Sequence, residues 1–385
     1  MSSFLENGLK HNCSGCGACA QICALDAIKM TADEDGFLYP ATDSNKCVRC
    51  GRCVSVCPFN NENKNEKPQE FFAAKSKKPS TVKASSSGGA FYEISKVFCD
   101  DNYAVFGAEM TENLKVCHGF ITDFSGISKL QKSKYVQSDT GGSFKKAKEF
   151  LDVGTKVLFS GTPCQIAGFK NFLGKDYENL ITVDIICHGV PSQQLFDKYL
   201  SELSEKLGEK IISFTFRNKK NFDKKKTNQK TVLIKTESGK EIVREVLQCE
   251  YLAAFHEAMF YRPSCGECPF AALQRTGDIT LGDFWGAEKF FDGFDDGRGV
   301  SLVIANTAKG KLLLEKADMD FIVSDAETAS AYNAQLKKPA SAHKNRDKFF
   351  DLIKTHGFCE SVRECMDIPS PLRYGLYKIK TSIKK

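Results

Sequence analysis

The segments Cys13-Ser14-Gly15-Cys16-Gly17-Ala18-Cys19-Ala20-Gln21-Ile22-Cys23 and Cys47-Val48-Arg49-Cys50-Gly51-Arg52-Cys53-Val54-Ser55-Val56-Cys57 repeat one spacing, C-x-x-C-x-x-C-x-x-x-C, and Pro58 follows the second run. Thiolates at these intervals wrap iron–sulfur clusters, because Gly15, Gly17 and Gly51 permit the tight turns that bring the sulfurs together. A centre of this kind exchanges one electron at a time, so the N-terminal region handles electrons. Zinc sites more commonly use two separated C-x-x-C pairs, and a disulfide scaffold needs a secretory context that Met1–His11 does not supply. The doubled spacing therefore favours clusters over both.

In two-cluster ferredoxins the fourth cysteine of each run ligates the other cluster. The expected ligand sets are Cys13, Cys16, Cys19 and Cys57 for one 4Fe-4S centre, and Cys47, Cys50, Cys53 and Cys23 for the second. Residues 24–46 are expected to form a β-hairpin that turns at Asp33-Glu34-Asp35-Gly36, with Ile28, Met30, Phe37 and Leu38 packed around the clusters. Ala24 stands where the motif usually has proline, which touches the local backbone and no ligand.

A chain of 385 residues, 42% of them hydrophobic, is long enough for two or three domains with cores of their own. Seventeen cysteines without a signal peptide point to a reducing, cytoplasmic setting. The longest apolar stretch, around Leu180–Cys187, is far short of the roughly 20 residues that span a bilayer and contains Thr182 and Asp184, so membrane insertion is not expected. The net charge of +6 is modest, and the lysines gather in Lys219–Lys230 and Lys378–Lys385. Such runs read as solvated loops or ends, and with no recognised binding motif beside them nucleic acid is not an expected partner.

The expected organisation is α+β: a bacterial-type two-cluster ferredoxin domain at 1–60, a polar linker at 61–70, and an α/β flavin-binding part. That part divides into 71–140, a central FAD and iron–sulfur domain at 141–340, and a helical extension with a basic tail at 341–385. Phe71–Lys75 reads as a strand, and Ser85-Ser86-Ser87-Gly88-Gly89 leads into a helix over Ala90–Phe98 with Phe91, Ile94, Val97 and Phe98 at helical spacing. Serines before glycines at a helix start suit a flavin or nucleotide diphosphate, and equally an ordinary Ser-capped helix. Strands are expected at Tyr103–Ala108, Cys117–Thr122, Lys156–Ser160 and Leu180–Cys187, and helices at Ser143–Leu151 and Ile166–Leu173. This alternation implies a parallel α/β unit whose functional residues gather at the strands' carboxyl ends, where Cys164 and Cys187 sit.

Cys265-Gly266-Glu267-Cys268 is a further C-x-x-C, open by itself to a zinc half-site, a redox dithiol or coincidence. Together with Cys164 and Cys187 it supplies four thiols in glycine- and proline-rich settings that suit a third cluster. Cys99, Cys117, Cys249, Cys359 and Cys365 lack such settings and read as buried packing residues.

Ser87-Gly88-Gly89, Lys134-Tyr135-Val136-Gln137-Ser138, Gly161-Thr162-Pro163-Cys164-Gln165, Asp184 with Cys187-His188-Gly189-Val190-Pro191-Ser192, Cys265-x-x-Cys268 and Gly277-Asp278-Ile279-Thr280-Leu281-Gly282-Asp283-Phe284-Trp285-Gly286 follow one another in order. On these six motifs the chain resembles the beta subunits of coenzyme F420-reducing hydrogenase and related dehydrogenases. The resemblance implies an FAD contacted by Ser87, Gly88, Gly89, Lys134, Tyr135, Ser138, Gly161 and Thr162. It also implies a 4Fe-4S cluster on Cys164, Cys187, Cys265 and Cys268, and electron exchange with the two ferredoxin clusters. A flavin converts hydride transfer into single-electron steps that clusters conduct. Lys134 near the flavin would favour its anionic reduced form. His188 is the local proton donor or a cap on the strand end; Asp283, with Trp285, lines the substrate face or is a turn residue, as Asp278 is. The implied activity is an FAD- and 4Fe-4S-dependent oxidoreductase acting on a small-molecule hydride donor or acceptor such as the deazaflavin F420, with a redox partner protein or catalytic subunit. The alternative is a non-catalytic electron-transfer subunit of a larger hydrogenase or dehydrogenase. Lys309–Lys316 and Arg346–Lys354 read as helices, and Tyr374–Lys385 as a basic end.

Overall fold

The computed structural model describes residues 10–61, 64–65, 70–219 and 231–366. Met1–Leu9, most of the expected linker, the lysine-rich run after Lys219 and the end of the chain including Tyr374–Lys385 lie outside the described residues.

The cysteine runs fold as one local motif used twice. Gly17 and Gly51 both adopt φ 78°, the left-handed region open to glycine, and each starts a short helix, Ala18–Ile22 and Arg52–Ser55. Between the runs, β1 (Ile28–Ala32) and β2 (Leu38–Thr42) pair antiparallel, with Ile28 opposite Thr42. Their turn is closed by Asp33 Oδ1, which accepts from the backbone N–H of Asp35 at 3.1 Å and of Phe37 at 2.9 Å. Phe37 departs from the expectation that it surrounds the clusters. It precedes β2, is 1% exposed and packs in one core cluster with Leu195 and Phe196.

The strands β3 (Glu70–Ser76), β4 (Tyr103–Met110), β5 (Val116–Ile121), β6 (Lys156–Gly161) and β7 (Leu180–Ile185) enter one large sheet. Beyond it in the chain, β8 (Ile211–Asn218), β9 (Thr231–Thr236) and β10 (Glu241–Glu245) form a separate antiparallel sheet, and β11 (Ile279–Asp283), β12 (Ser301–Ala305) and β13 (Met319–Ser324) return to the first. The large sheet has the order β13-β3-β12-β11-β7-β6-β4-β5. Its centre, β11-β7-β6-β4, is parallel, and β5, β12, β3 and β13 add antiparallel edges. Val157-Leu158-Phe159 of β6 and Leu180–Asp184 of β7 are buried, as a parallel sheet covered on both faces requires. Strands from 71–140 and from 141–340 thus share one sheet. The helix after β6 begins at Pro163, earlier than the apolar spacing suggests, because proline suits a first helical turn and Gln165 Oε1 accepts from the Thr162 N–H at 3.0 Å.

The three-stranded sheet has no counterpart in the sequence reading. It packs with the helices Gln193–Leu207, Glu250–His256 and Phe358–Cys365 around Phe196, Tyr199, Phe214, Phe216, Tyr251, Phe260 and Phe358. None of the seventeen cysteines is in a disulfide, which removes the disulfide scaffold. Among the described residues no helix is long and apolar enough to cross a membrane.

Candidate functional site

Four cysteines from three separate stretches of chain meet at one cavity. Cys164 lies in the first turn of the helix after β6, and Cys187 lies just past the end of β7. Cys265 and Cys268 come from the loop opened by the helical turn Pro263–Cys265. All four line a cavity of about 480 Å³, mouth included, together with Ser14, Thr162 and the exposed His188. Burial pushes the Cys265 thiol up to about 12 and the Cys268 thiol to about 11, with the nearby Cys164 sulfur adding to both shifts. Cys187 and Cys164 are raised as well, chiefly by burial. Four thiolates therefore require a cationic core between them to coexist here. A single zinc with bonds near 2.3 Å would draw its sulfurs to about 3.8 Å of one another. Among the described residues no three cysteine sulfurs lie even within 4.8 Å of one another, a wider spacing than a single zinc would impose.

Among the N-terminal cysteines, burial and neighbouring thiols set the environment of each sulfur. Burial raises Cys19 to about 12, and the next largest influences are Cys13 and Cys57; Cys57 itself is raised by burial and by Cys13. Cys57 therefore crosses from the second run to the first. Cys53 is raised by burial, with Cys47 and Cys50 as its charged neighbours. Cys23 Sγ accepts from the Ala27 N–H at 3.3 Å. The two groups differ in depth, since Cys16 is 7% exposed whereas Cys50 is exposed to solvent. The inner group abuts the cavity. Cys164 is among the charges raising Cys16, Ser14 forms part of the cavity wall, and a Cβ on Gly168 of the helix Pro163–Leu173 would stand 2.8 Å from Cys16 Sγ. Surface group, inner group and cavity form a row.

Two buried arginines, neither singled out by sequence reasoning, hold this row together. Arg275 and Asp184 form an ion pair at 3.0 Å with 1% and 0% side-chain exposure. Arg275 also donates to the carbonyls of Phe270, Ala272 and Ile185, tying the loop after Cys268 to the end of β7 beside Cys187. Asp184 Oδ2 accepts from the Thr276 and Gly277 N–H groups at 3.0 and 2.9 Å. Arg262 joins the ferredoxin loop to the loop bearing Cys265, donating from Nε to the Cys13 carbonyl at 2.6 Å.

Around Ser87 the structure differs from a glycine loop open to a ligand. The Gly88 N–H donates to Ser301 Oγ at 3.0 Å, and a Cβ there would lie 2.5 Å from the Ala74 carbonyl oxygen. Gly88 is thus required by packing against β3 and β12, and a side chain at this position disturbs the sheet with or without a ligand. Ser87 Oγ donates to the Val300 carbonyl at 2.8 Å, and Gly89 starts the helix Ala90–Phe98 at φ 95°. Of the cations near this loop, Lys134 was an expected flavin contact and Lys219 opened a lysine-rich run, whereas Arg217 carried no sequence signal. Arg217 donates to the Ser86 carbonyl at 2.9 Å and grips Asp283 at 2.8 and 3.2 Å, while also reaching the Tyr135 hydroxyl at 3.2 Å. Burial alone would raise the Asp283 carboxyl, but the Arg217 guanidinium outweighs it and holds the group below the usual carboxylate range. Lys219 Nζ donates to the carbonyls of Val82 and Ser87, and burial followed by the Arg217 charge lowers it to about 8. Lys134 Nζ donates to the carbonyls of Gln131 and Lys129, and burial lowers it to about 7. Lys134 and Lys219 are thus partly buried cations that donate to backbone carbonyls, and an anionic group such as a phosphate would stabilise the charge on either.

Ser138, Gly161 and Thr162 gather around Gln165, and Thr162 also lines the cysteine cavity. His118, missed in the sequence, sits there with Nε2 3.0 Å from the Ser160 carbonyl and Nδ1 2.7 Å from Ser138 Oγ. The carbonyl only accepts, so Nε2 carries the proton and Ser138 donates to Nδ1. The ring is neutral, in line with burial lowering its pKa to about 4. A Cβ on Gly161 would lie 3.3 Å from that ring, and Thr162 Oγ1 shares a hydrogen bond of 3.2 Å with Cys164 Sγ.

Residues 154–329 match the family described as the C-terminal region of the beta subunit of coenzyme F420 hydrogenase/dehydrogenase, and residues 12–61 match a 4Fe-4S dicluster domain. Over 53 residues the chain is 43% identical to a component of the Na(+)-translocating ferredoxin:NAD(+) oxidoreductase complex of Acetobacterium woodii, spanning 14% of this chain and only 15% of that component. Over 70 residues it is 34% identical to an uncharacterized ferredoxin of Methanocaldococcus jannaschii, spanning 15% of this chain and 90% of the ferredoxin. A solved chain of the F420-reducing nickel–iron hydrogenase complex from Methanosarcina barkeri aligns with 80% of this chain and 90% of its own length, at 16% identity and a TM-score of 0.44.

Proposed function

Because this chain belongs to the coenzyme F420 hydrogenase/dehydrogenase beta subunit family and carries a 4Fe-4S dicluster domain, we propose that it is an iron–sulfur oxidoreductase passing single electrons along three 4Fe-4S centres to and from an FAD. The observation that carries this is the cavity shared by Cys164, Cys187, Cys265 and Cys268, one wall of which is Ser14 of the ferredoxin loop. Cys47, Cys50, Cys53 and Cys23 hold the outermost centre, where the exposed Cys50 lets a redox partner approach. Cys13, Cys16, Cys19 and Cys57 hold the inner centre, and the cavity quartet holds the third. A bound FAD would supply the exchange between a two-electron hydride step and single-electron steps. Arg217, Lys219 and Lys134 would hold its phosphates as donors, Ser138 and Thr162 would contact it, and His188 at the cavity mouth would pass a proton. The organic partner is a hydride donor or acceptor such as F420, and the setting is cytoplasmic.

The proton on Lys134 provides the test. With its free pKa about 7, Lys134 loses charge as pH rises through neutrality, and an anion bound beside it raises that pKa. FAD affinity is then greatest below pH 7 and falls by up to about tenfold per unit above it. Fluorescence titration of FAD between pH 6 and 9 measures this, and Lys134→Met flattens the profile. Protein loaded with all its iron that binds no FAD at any pH refutes the flavin role. That result would leave the second reading, a wiring subunit of a larger hydrogenase or dehydrogenase. The internal hydrogen bonds of Ser87 and Gly88, which leave those groups less to offer a phosphate, favour that reading.

A further inference from the structure

Arg262 is among the largest side chains buried in the protein, at 1% exposure, and among the described residues no carboxylate lies within ion-pair distance of it. Its guanidinium is spent on the ferredoxin side of the molecule. Besides the Cys13 carbonyl, it donates from Nη2 to the Leu38 carbonyl at 2.8 Å and from Nη1 to Gln137 Oε1 at 3.1 Å, and it lies 4.2 Å from the centroid of the Tyr39 ring. Nη2 also stands 3.6 Å from Cys13 Sγ in hydrogen-bonding geometry. The turn below is bare to admit it: a Cβ on Gly15 would lie 2.7 Å from Nη1. On its other side the residue belongs to the cavity loop. Its N–H donates to the Val190 carbonyl, and its carbonyl accepts from the Cys265 N–H at 2.9 Å. The neighbouring Ser264 hydroxyl donates to the Cys13 carbonyl at 3.0 Å.

A buried cation without a carboxylate is costly unless another negative charge compensates it. The nearest candidate is the thiolate-ligated centre that Cys13 would anchor, whose negative charge increases by one on reduction. We propose that Arg262 is a positioning residue which makes the inner centre, on Cys13, Cys16, Cys19 and Cys57, an effective electron acceptor from the surface centre. The inference rests on the three-centre reading. Burial of the inner thiolates opposes the arrival of an electron, whereas the surface group around Cys50 is eased by water. An N–H donor to sulfur and a fixed positive charge stabilise the reduced form and raise its potential. In the transfer the inner centre gains one electron and the surface centre loses one. Arg262 favours the inward direction, and its backbone fixes how far the acceptor stands from the cavity.

Redox titration followed by electron paramagnetic resonance, on anaerobically purified full-length protein with iron counted per chain, tests this. In Arg262→Met one ferredoxin-type signal shifts to more negative potential by more than any other, the cavity centre shifts less because Cys164 and Cys265 also feel the Arg262 charge, and the surface centre keeps its midpoint. Arg262→Lys restores part of the shift, since it keeps the charge and loses the planar fork. A purely structural role would lower iron content without moving any midpoint. Unmoved midpoints in a fully loaded Arg262→Met protein overturn the proposal; if that variant loses its inner cluster, unmoved midpoints in a loaded Arg262→Gln protein, which removes the charge and keeps a polar side chain, do so. Wild-type protein lacking two ferredoxin-type signals would instead overturn the three-centre reading itself.

Discussion

Replacing Cys265 with serine isolates the cavity centre from the ferredoxin pair. On the proposed assignment of twelve cysteines to three sets of four, the intact protein should hold about twelve irons, four in each cubane. Cys265 belongs to the cavity set, and its thiol, pushed up to about 12 by burial, ionises there only with a metal core to stabilise it. A serine hydroxyl is a far poorer anion, which leaves three sulfurs and an open corner. The expected loss is about four irons, a third of the total, with matching loss of acid-labile sulfide. The ferredoxin signals should persist, because those eight ligands come from another part of the chain. Cys249→Ser is the control: Cys249 is fully buried in the aromatic core, 3.3 Å from the Tyr199 hydroxyl, and its replacement should leave iron unchanged. Iron and sulfide assays with paramagnetic resonance read the result. Full iron content in a folded Cys265→Ser protein would refute the four-cysteine centre, and equal losses from both variants would show that the change reports stability instead.

The acid limb of stability should depend on His118. The unfolded ring binds a proton below about pH 6.5, and the folded ring only below about 4. Its contribution is therefore complete above about pH 6.5 and is lost as pH falls towards 4, by roughly 2–3 kcal/mol. Denaturant midpoints measured from pH 7 to 4 should fall less steeply in His118→Gln, and parallel curves for the two proteins would count against the buried neutral ring. Arg275→Met strands the Asp184 carboxylate and three carbonyls, and should cost about 3–5 kcal/mol, shown by a lower urea midpoint. Adding Asp184→Asn should recover part of the loss, since the uncompensated charge is gone; no recovery in the double variant would contradict a charge origin.

The local elements were legible in the sequence where the signal was local. The β1–β2 hairpin follows from Asp33 and Gly36 in a four-residue turn, the helices Ala90–Phe98 and Ser143–Asp152 from their apolar spacing, and β6 and β7 from short apolar runs. The helix at Pro163 was placed too late, because a cap is a matter of hydrogen bonds and not of periodicity. The sheet of β8, β9 and β10 escaped notice because its pattern is weak and its stability comes from helices far away in the chain. Arg217, His118, Arg262 and Arg275 were likewise unreadable, since an isolated basic residue becomes informative only once its burial and partners are known.

By itself, the sequence determined the two cysteine runs and their cluster-type spacing, because ligand spacing around a cluster is set by a few residues of backbone with glycine in the turns. It also named the four cavity cysteines, which stand beside glycine and proline at strand ends. Only the tertiary structure decided that those four meet, that the inner ferredoxin group lies against their cavity, and that Gly88 serves the packing of two strands. These are questions of distance between segments up to a hundred or more residues apart, and chain positions so far apart acquire a distance only when the parallel sheet closes and buries the cations that pin one part to another.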